Sequence, residues 1–157
     1  MENELKQNFA RRLSQCNRGE MIVIIYEIYF AYEADLIQAH QDGDYEKFKN
    51  CLRRAQDTIG KLMDSLDFSY EISEQLYALY RYCRQQLAKA LYQNRLTGIS
   101  DAHRIMERLY QSFIKAAEQD HSPPLMSNTQ QVYAGMTYGR NDLNENFIED
   151  HHRGFFA

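Results

Sequence analysis

Between Tyr45 and Leu66 the large apolar residues recur in alternating steps of three and four: Tyr45, Phe48, Leu52, Ala55, Ile59, Leu62 and Leu66. Only a helical repeat puts all seven on one stripe; a two-residue strand period would scatter them over both faces of a sheet. Lys47, Lys49, Arg53, Arg54, Asp57, Lys61 and Asp64 fall between them and form a solvated face. A helix with one apolar stripe draws most of its stability from burying that stripe against other elements. The rest of the chain must therefore supply helices of matching length.

It does so on both sides. Gly43 is placed to end a preceding helix and Asp44 to cap the one just described. Asn17-Arg18-Gly19-Glu20 reads as a capping box, which opens an upstream helix running to about residue 41. Its first half, Met21 to Phe30, is apolar nearly all round, so it needs neighbours on every side. Downstream, Ile72, Leu76, Leu79, Cys83, Leu87, Ala90 and Leu91 form a third stripe, with Tyr77, Tyr80 and Tyr82 beside it. Leu96-Thr97-Gly98 is expected to end that helix, and Ser100 or Asp101 to cap the next. The last stripe reads Ala102, Ile105, Met106, Leu109, Phe113 and Ala116. The two prolines are adjacent, Pro123 and Pro124, so breakers are scarce before residue 120. Four long helices joined by short turns predict an all-α chain, an antiparallel four-helix bundle over residues 17–119. Residues 1–16 carry Leu5, Phe9 and Leu13 at helical spacing, an amphipathic arm. Residues 120–157 lose the period yet keep Tyr133, Met136, Tyr138, Leu143, Phe147, Ile148, Phe155 and Phe156. They read as an irregular extension that packs on or near the bundle.

Several chemistries are not expected. A net charge of −4 leaves no electrostatic footprint for nucleic acid. Cys16, Cys51 and Cys83 are odd in number and form no CxxC pair, so free thiols in a reducing cytoplasm are expected. Met1 to Lys6 holds no apolar stretch of signal-peptide length, and Met21 to Tyr32 is too short to insert in a membrane. A carboxylate-bridged metal enzyme built on a bundle needs two ExxH pairs. The chain offers Glu118 with His121 alone, beside an isolated Asp150-His151-His152. No glycine-rich phosphate loop and no GxSxG occur. No catalytic residue, metal or cofactor is expected, and the chain reads as a binding protein rather than an enzyme.

The aromatic content points the same way. Tyr26, Tyr29, Tyr32, Tyr77, Tyr80, Tyr82 and Tyr92 fall on two helices. Tyrosine, apolar with a polar tip, suits surfaces that are wet at one time and covered at another. Three stretches then carry a family resemblance: Gly19 to Tyr26, Leu52 to Leu62, and Leu79-Tyr80-Arg81-Tyr82 followed by Leu87 and Ala90. In order and spacing, over about residues 5–117, the chain resembles the FliS family of flagellin export chaperones. Arg18 stands where that family has proline, and Phe113 where it has tryptophan near the end of the last helix.

The resemblance implies a cytoplasmic chaperone that binds the C-terminal helical segment of flagellin. It would prevent premature polymerisation and deliver the client to components of the type III export gate. It implies a client groove at Ile22, Tyr26, Ile59, Met63, Leu66, Tyr77 and Tyr80, and a covering arm at Leu5, Phe9 and Leu13. The expected state is a monomer or weak dimer. A helical-bundle adaptor for another flagellar or regulatory protein is the alternative. The extension from residue 120 has no counterpart in that resemblance; its apolar residues without helical period leave two readings, a segment that covers apolar surface in cis until client displaces it, or a loose appendage.

Overall fold

A computed structural model describes residues 2–126. Five helices follow in order: α1 Asn3–Leu13, α2 Arg18–Gln41, α3 Tyr45–Asp64, α4 Ile72–Gln93 and α5 Ile99–Glu118. Helix α2 packs on α3 and α5, and α4 closes the ring by packing on the same two, while α1 touches α2 alone. Short turns make sequential neighbours antiparallel, so α2 to α5 form the expected bundle with α1 laid on its outside.

The helix starts follow from local chemistry. Asn17 Oδ1 accepts from Glu20 N at 2.8 Å, and the Glu20 carboxylate accepts from Asn17 N at 2.9 Å, completing the capping box. Gly43 takes the left-handed conformation after α2, and Asp44 caps α3 by accepting from Lys47 N. The end of α4 departs from expectation. That helix stops at Gln93, with Asn94 left-handed, and Gly98 is the N-cap of α5 with φ of 89°. Neither Ser100 nor Asp101 caps it. The buried Gln86 presses on Gly98, leaving no room for a side chain there.

The core runs the length of the ring: Tyr26, Tyr29, Leu36, Phe48, Leu52, Ile59, Leu62, Tyr80, Leu87 and Met106 are all sealed. On α4 the buried stripe is Ser73, Tyr80, Cys83, Leu87 and Ala90, which leaves Ile72 and Leu79 exposed, against expectation. Tyr80 takes the place that the sequence assigns to Leu79, because its hydroxyl meets that of Tyr26 at 2.6 Å. The all-round apolar character of α2 now has a cause. One part of its surface meets α3 and α5, and another, with Met21, Ile24 and Ile28, lies under Phe9 and Leu13 of α1. The Arg12 guanidinium forks onto the Glu27 carboxylate and fixes the arm in register.

The bend between α1 and α2 is tied to the end of α5. Gly19 N donates to the Asp120 carboxylate and Asn17 Nδ2 to the Asp120 carbonyl, both at 2.9 Å, and Leu125 N donates to Cys16 O at 3.0 Å. A Cβ on Gly19 would lie 3.1 Å from Ala117 Cα, so this close approach of α2 to α5 requires glycine. Residues 120–126 of the expected extension thus return to the bundle; the cis-covering reading of residues 127–157 lies outside the described residues.

Candidate functional site

Three hollows on the described surface bear on the expected groove and arm. The first, of about 210 Å³, lies where the start of α2, the α3–α4 turn, α4 and the end of α5 meet. Ile22, Leu66, Leu76, Tyr80 and Phe113 supply its apolar walls, and Tyr70 and Ile72 form its open rim. The turn after α3 keeps this rim in place: Ser73 Oγ donates to Asp67 O at 2.6 Å, and Ser69 N donates to the Asp67 carboxylate. The hydrogen bonds from Ser69 lower the Asp67 pKa below the ordinary value. Beside the rim Phe68 meets Tyr77 edge-on at 5.8 Å. Phe68 is 59 % exposed, Tyr70 64 % and Tyr77 38 %. These large apolar groups are adjacent, one exposed cluster rather than scattered single exposures.

The residues expected to form a groove separate into two groups. Ile22 and Leu66 line the hollow, and Tyr80 backs it with almost no exposure of its own. Met63 packs half-buried against the core, with Arg84 Nη1 3.8 Å from its sulfur, and Tyr77 stands exposed nearby. Tyr26 and Ile59 are corrected to interior residues, each with no exposed surface. Tyr26 is enclosed by the rings of Tyr80, Tyr110 and Phe113, and burial pushes its hydroxyl pKa well up. Sequence reading passed over Phe68, Tyr70 and Ile72; the first two stand in an aperiodic turn, and Ile72 was assigned to the core.

The arm also differs from expectation. Phe9 is buried with Cys16 and Ile24, Leu13 packs beside them, and Leu5 is exposed. No arm residue lines the first hollow. The arm covers another part of α2 instead, next to a second hollow of about 480 Å³ that Arg12, Cys16, Val23, Ile24, Ile114 and Ala117 line.

The third hollow, of about 520 Å³, has walls of Phe30, Ile37, Leu96 and Ile99. Glu33 lies at its edge, buried, accepting from Tyr29 Oη at 3.1 Å and bonded to His103 Nδ1 at 2.6 Å. Burial raises the Glu33 pKa against the opposing pull of His103. The pair joins α2 to α5, a structural use of a carboxylate. Cys83 is sealed in the core and its thiol is pushed up to about 12 by burial, so it is held as the unreactive thiol. Among the described residues no group of three or more His, Cys, Asp or Glu could hold a metal, and no helix is long and apolar enough to cross a membrane.

This architecture, an all-helical ring with an N-terminal helix laid on it, agrees with what family comparison finds. The family model described as flagellar protein FliS matches residues 1–120. A comparison with curated proteins found no match. The matched span takes in α1 to α5 and the Asp120 tie, and the chain accordingly belongs to the FliS family, the flagellar export chaperones.

Proposed function

We propose that this chaperone binds the C-terminal helical segment of flagellin, holds it from polymerising in the cytoplasm, and delivers it to the flagellar type III export apparatus. The observation that carries the reading is the hollow at Ile22, Leu66 and Phe113 with its open rim of Tyr70 and Ile72. It is apolar, elongated by the Phe68–Tyr77 pair, and framed by helix ends, which suits the apolar face of an amphipathic helix. Tyr80, at its back, is fixed by Tyr26 and needs no rearrangement before binding.

The arm supports a second contact. Ile24 is buried, and Met21 and Ile28 half-buried, in one cluster with Phe9 and Leu13 of the arm. The arm holds on by one small apolar cluster and the Arg12–Glu27 pair, a modest area that a longer amphipathic client helix can replace. Client and arm then compete for one part of α2, while the hollow at Leu66 is accessible to client with the arm seated or displaced. The protein acts by covering apolar surface, and no bond is made or broken.

Polymerisation of the organism's own flagellin tests this. An equimolar amount of the chain is expected to hold flagellin monomeric under conditions where it otherwise forms filaments. Filaments growing at an unchanged rate would refute the reading.

A further inference from the structure

Helix α1 is the least secured element of the bundle. Among the described residues it touches α2 alone, lacks a side-chain cap at its start, and buries one residue, Phe9. Its 11 residues are too few to stay helical in water without packing, so α1 lifted from α2 is α1 melted. Phe9, Leu13 and the Arg12–Glu27 pair hold it down. With so small a seat, the time it spends docked depends on how tightly its end is tethered.

That tether has almost no slack. Three bonds from the segment after α5 fix the bend from which α1 hangs. Cys16 O accepts from Leu125 N at 3.0 Å, and Asn17 Nδ2 donates to Asp120 O and Gly19 N to the Asp120 carboxylate, both at 2.9 Å. Cys16 is itself buried with Phe9 and Ile24, so the residue held at the bend belongs to the seat of the arm. Only Ser14 and Gln15 stand between it and Leu13, the last residue of α1.

The segment that supplies these bonds is stiff by composition. Asp120 also accepts from Ser122 N at 2.9 Å, closing a turn where the segment begins. Pro123 and Pro124 then fix φ at two successive residues and restrict the residue before each. Leu125 carries the first backbone N–H after them, and that N–H is the donor to Cys16 O. Its side chain is 53 % exposed, so the backbone bond rather than apolar packing places it there. A segment stiffened in advance loses little freedom when it makes such a bond.

We infer that residues 120–125 act as a strap that keeps the N-terminal arm seated on α2, by fixing the bend at residues 16–19. Freeing Cys16 returns backbone freedom to the bend, and the arm must then order it again each time it docks. The seated population falls, and whatever competes for Ile24 and Ile28 gains by the same factor. The coupling is reciprocal: a client that lifts the arm also loosens the strap. The effect on client rests on the competition proposed above; the effect on the arm does not.

Leu125→Pro in the full chain removes the donor and keeps the exposed position apolar. Hydrogen–deuterium exchange without client reads the arm by itself. Amides of residues 7–13 are expected to exchange roughly three- to tenfold faster than in the wild type, with those of α3 unchanged. Asp120→Ala, which loses the bond from Gly19 N, is expected to act in the same direction. A flagellin C-terminal peptide is expected to bind Leu125→Pro more tightly by the same factor. In a Phe9→Ala background, where the arm is already unseated, Leu125→Pro is expected to add nothing. Unchanged α1 exchange in both variants, or a rise that spreads to α3, would overturn the strap. A gain in peptide affinity that persists undiminished with Phe9→Ala would overturn its action through the arm. Faster α1 exchange with unchanged peptide affinity would support the strap and refute the competition between arm and client.

Discussion

Two aromatic clusters lie near one end of the bundle and are built from the same residue types. Tyr26, Tyr80, Tyr110 and Phe113 form the inner one, with ring centroids 5.5 to 6.4 Å from Tyr26 and the Tyr26 and Tyr80 hydroxyls bonded to each other. Phe68, Tyr70 and Tyr77 form the outer one, with a single edge-on pair and more than a third of each side chain in water. In the inner cluster the Tyr26 and Tyr80 hydroxyls meet each other and the Tyr110 hydroxyl donates to Glu27, so each polar tip has a partner within the bundle. Among the described residues the outer cluster leaves its rings largely open. Residue type does not distinguish a sealed ring from an open one in this fold; the partners each ring meets within the bundle do.

Breaking the inner cluster should have the largest effect. Tyr26→Ala removes a sealed ring from three aromatic neighbours and is expected to cost about 3–5 kcal/mol in denaturant unfolding. Tyr26→Phe keeps the ring but strands the Tyr80 hydroxyl, at about 1–3 kcal/mol. In the outer cluster the same kind of truncation should leave stability nearly alone. The Phe68→Ala/Tyr77→Ala pair is expected to shift unfolding by less than about 1 kcal/mol, while client-peptide affinity falls roughly tenfold. A variant that unfolds the protein instead would show that the outer rings belong to the core.

Two glycines repeat the contrast on a smaller scale. Gly60→Ala, with open space around the added methyl, is expected to stabilise the chain by up to about 1 kcal/mol. Gly19→Ala meets Asp120 and the α5 backbone and is expected to destabilise it. Thermal unfolding of the two variants side by side reads opposite signs.

The smallest effect is a slope. Burial raises the Glu33 pKa above its ordinary value of 4.5, so the folded state holds its proton to higher pH than the unfolded state. The stability this contributes is complete below that ordinary value and is lost as pH rises through the raised one. The unfolding free energy of the wild type minus that of Glu33→Gln is therefore expected to decline as pH rises above 4.5. A flat difference would show that Tyr29 and His103 cancel the cost of burying the carboxylate.

Much of this was legible in the residues. The steps from Phe48 to Leu62, the Asn17–Glu20 box and the Gly43-Asp44 turn each fix a local conformation by chemistry that acts within one helical turn. They are where reading and structure agree. What could not be read was decided by pairs distant in the chain. Tyr80 displaced Leu79 from the core because Tyr26, 54 residues away, offered its hydroxyl. Gly98, left-handed at φ 89°, stands at the start of α5 with Gln86, 12 residues back, filling the place of a side chain there. The candidate groove was legible only in part for the same reason. Ile22 and Leu66 follow from stripe edges, whereas periodicity cannot rank Tyr26 and Ile59, at the stripe centres, as sealed. Phe68 and Tyr70 stand in a turn, where no period signals exposure.

Isothermal titration of the full chain with a peptide from the C-terminal helix of the organism's flagellin tests the central claim most directly, with Leu66→Glu as the comparison. The wild type is expected to bind with a negative heat-capacity change, since apolar surface is covered, and Leu66→Glu to bind at least roughly tenfold more weakly with its fold intact. Equal affinity for the two chains, or no heat-capacity change, would contradict the claim that the bundle carries its client on apolar surface left open at Leu66.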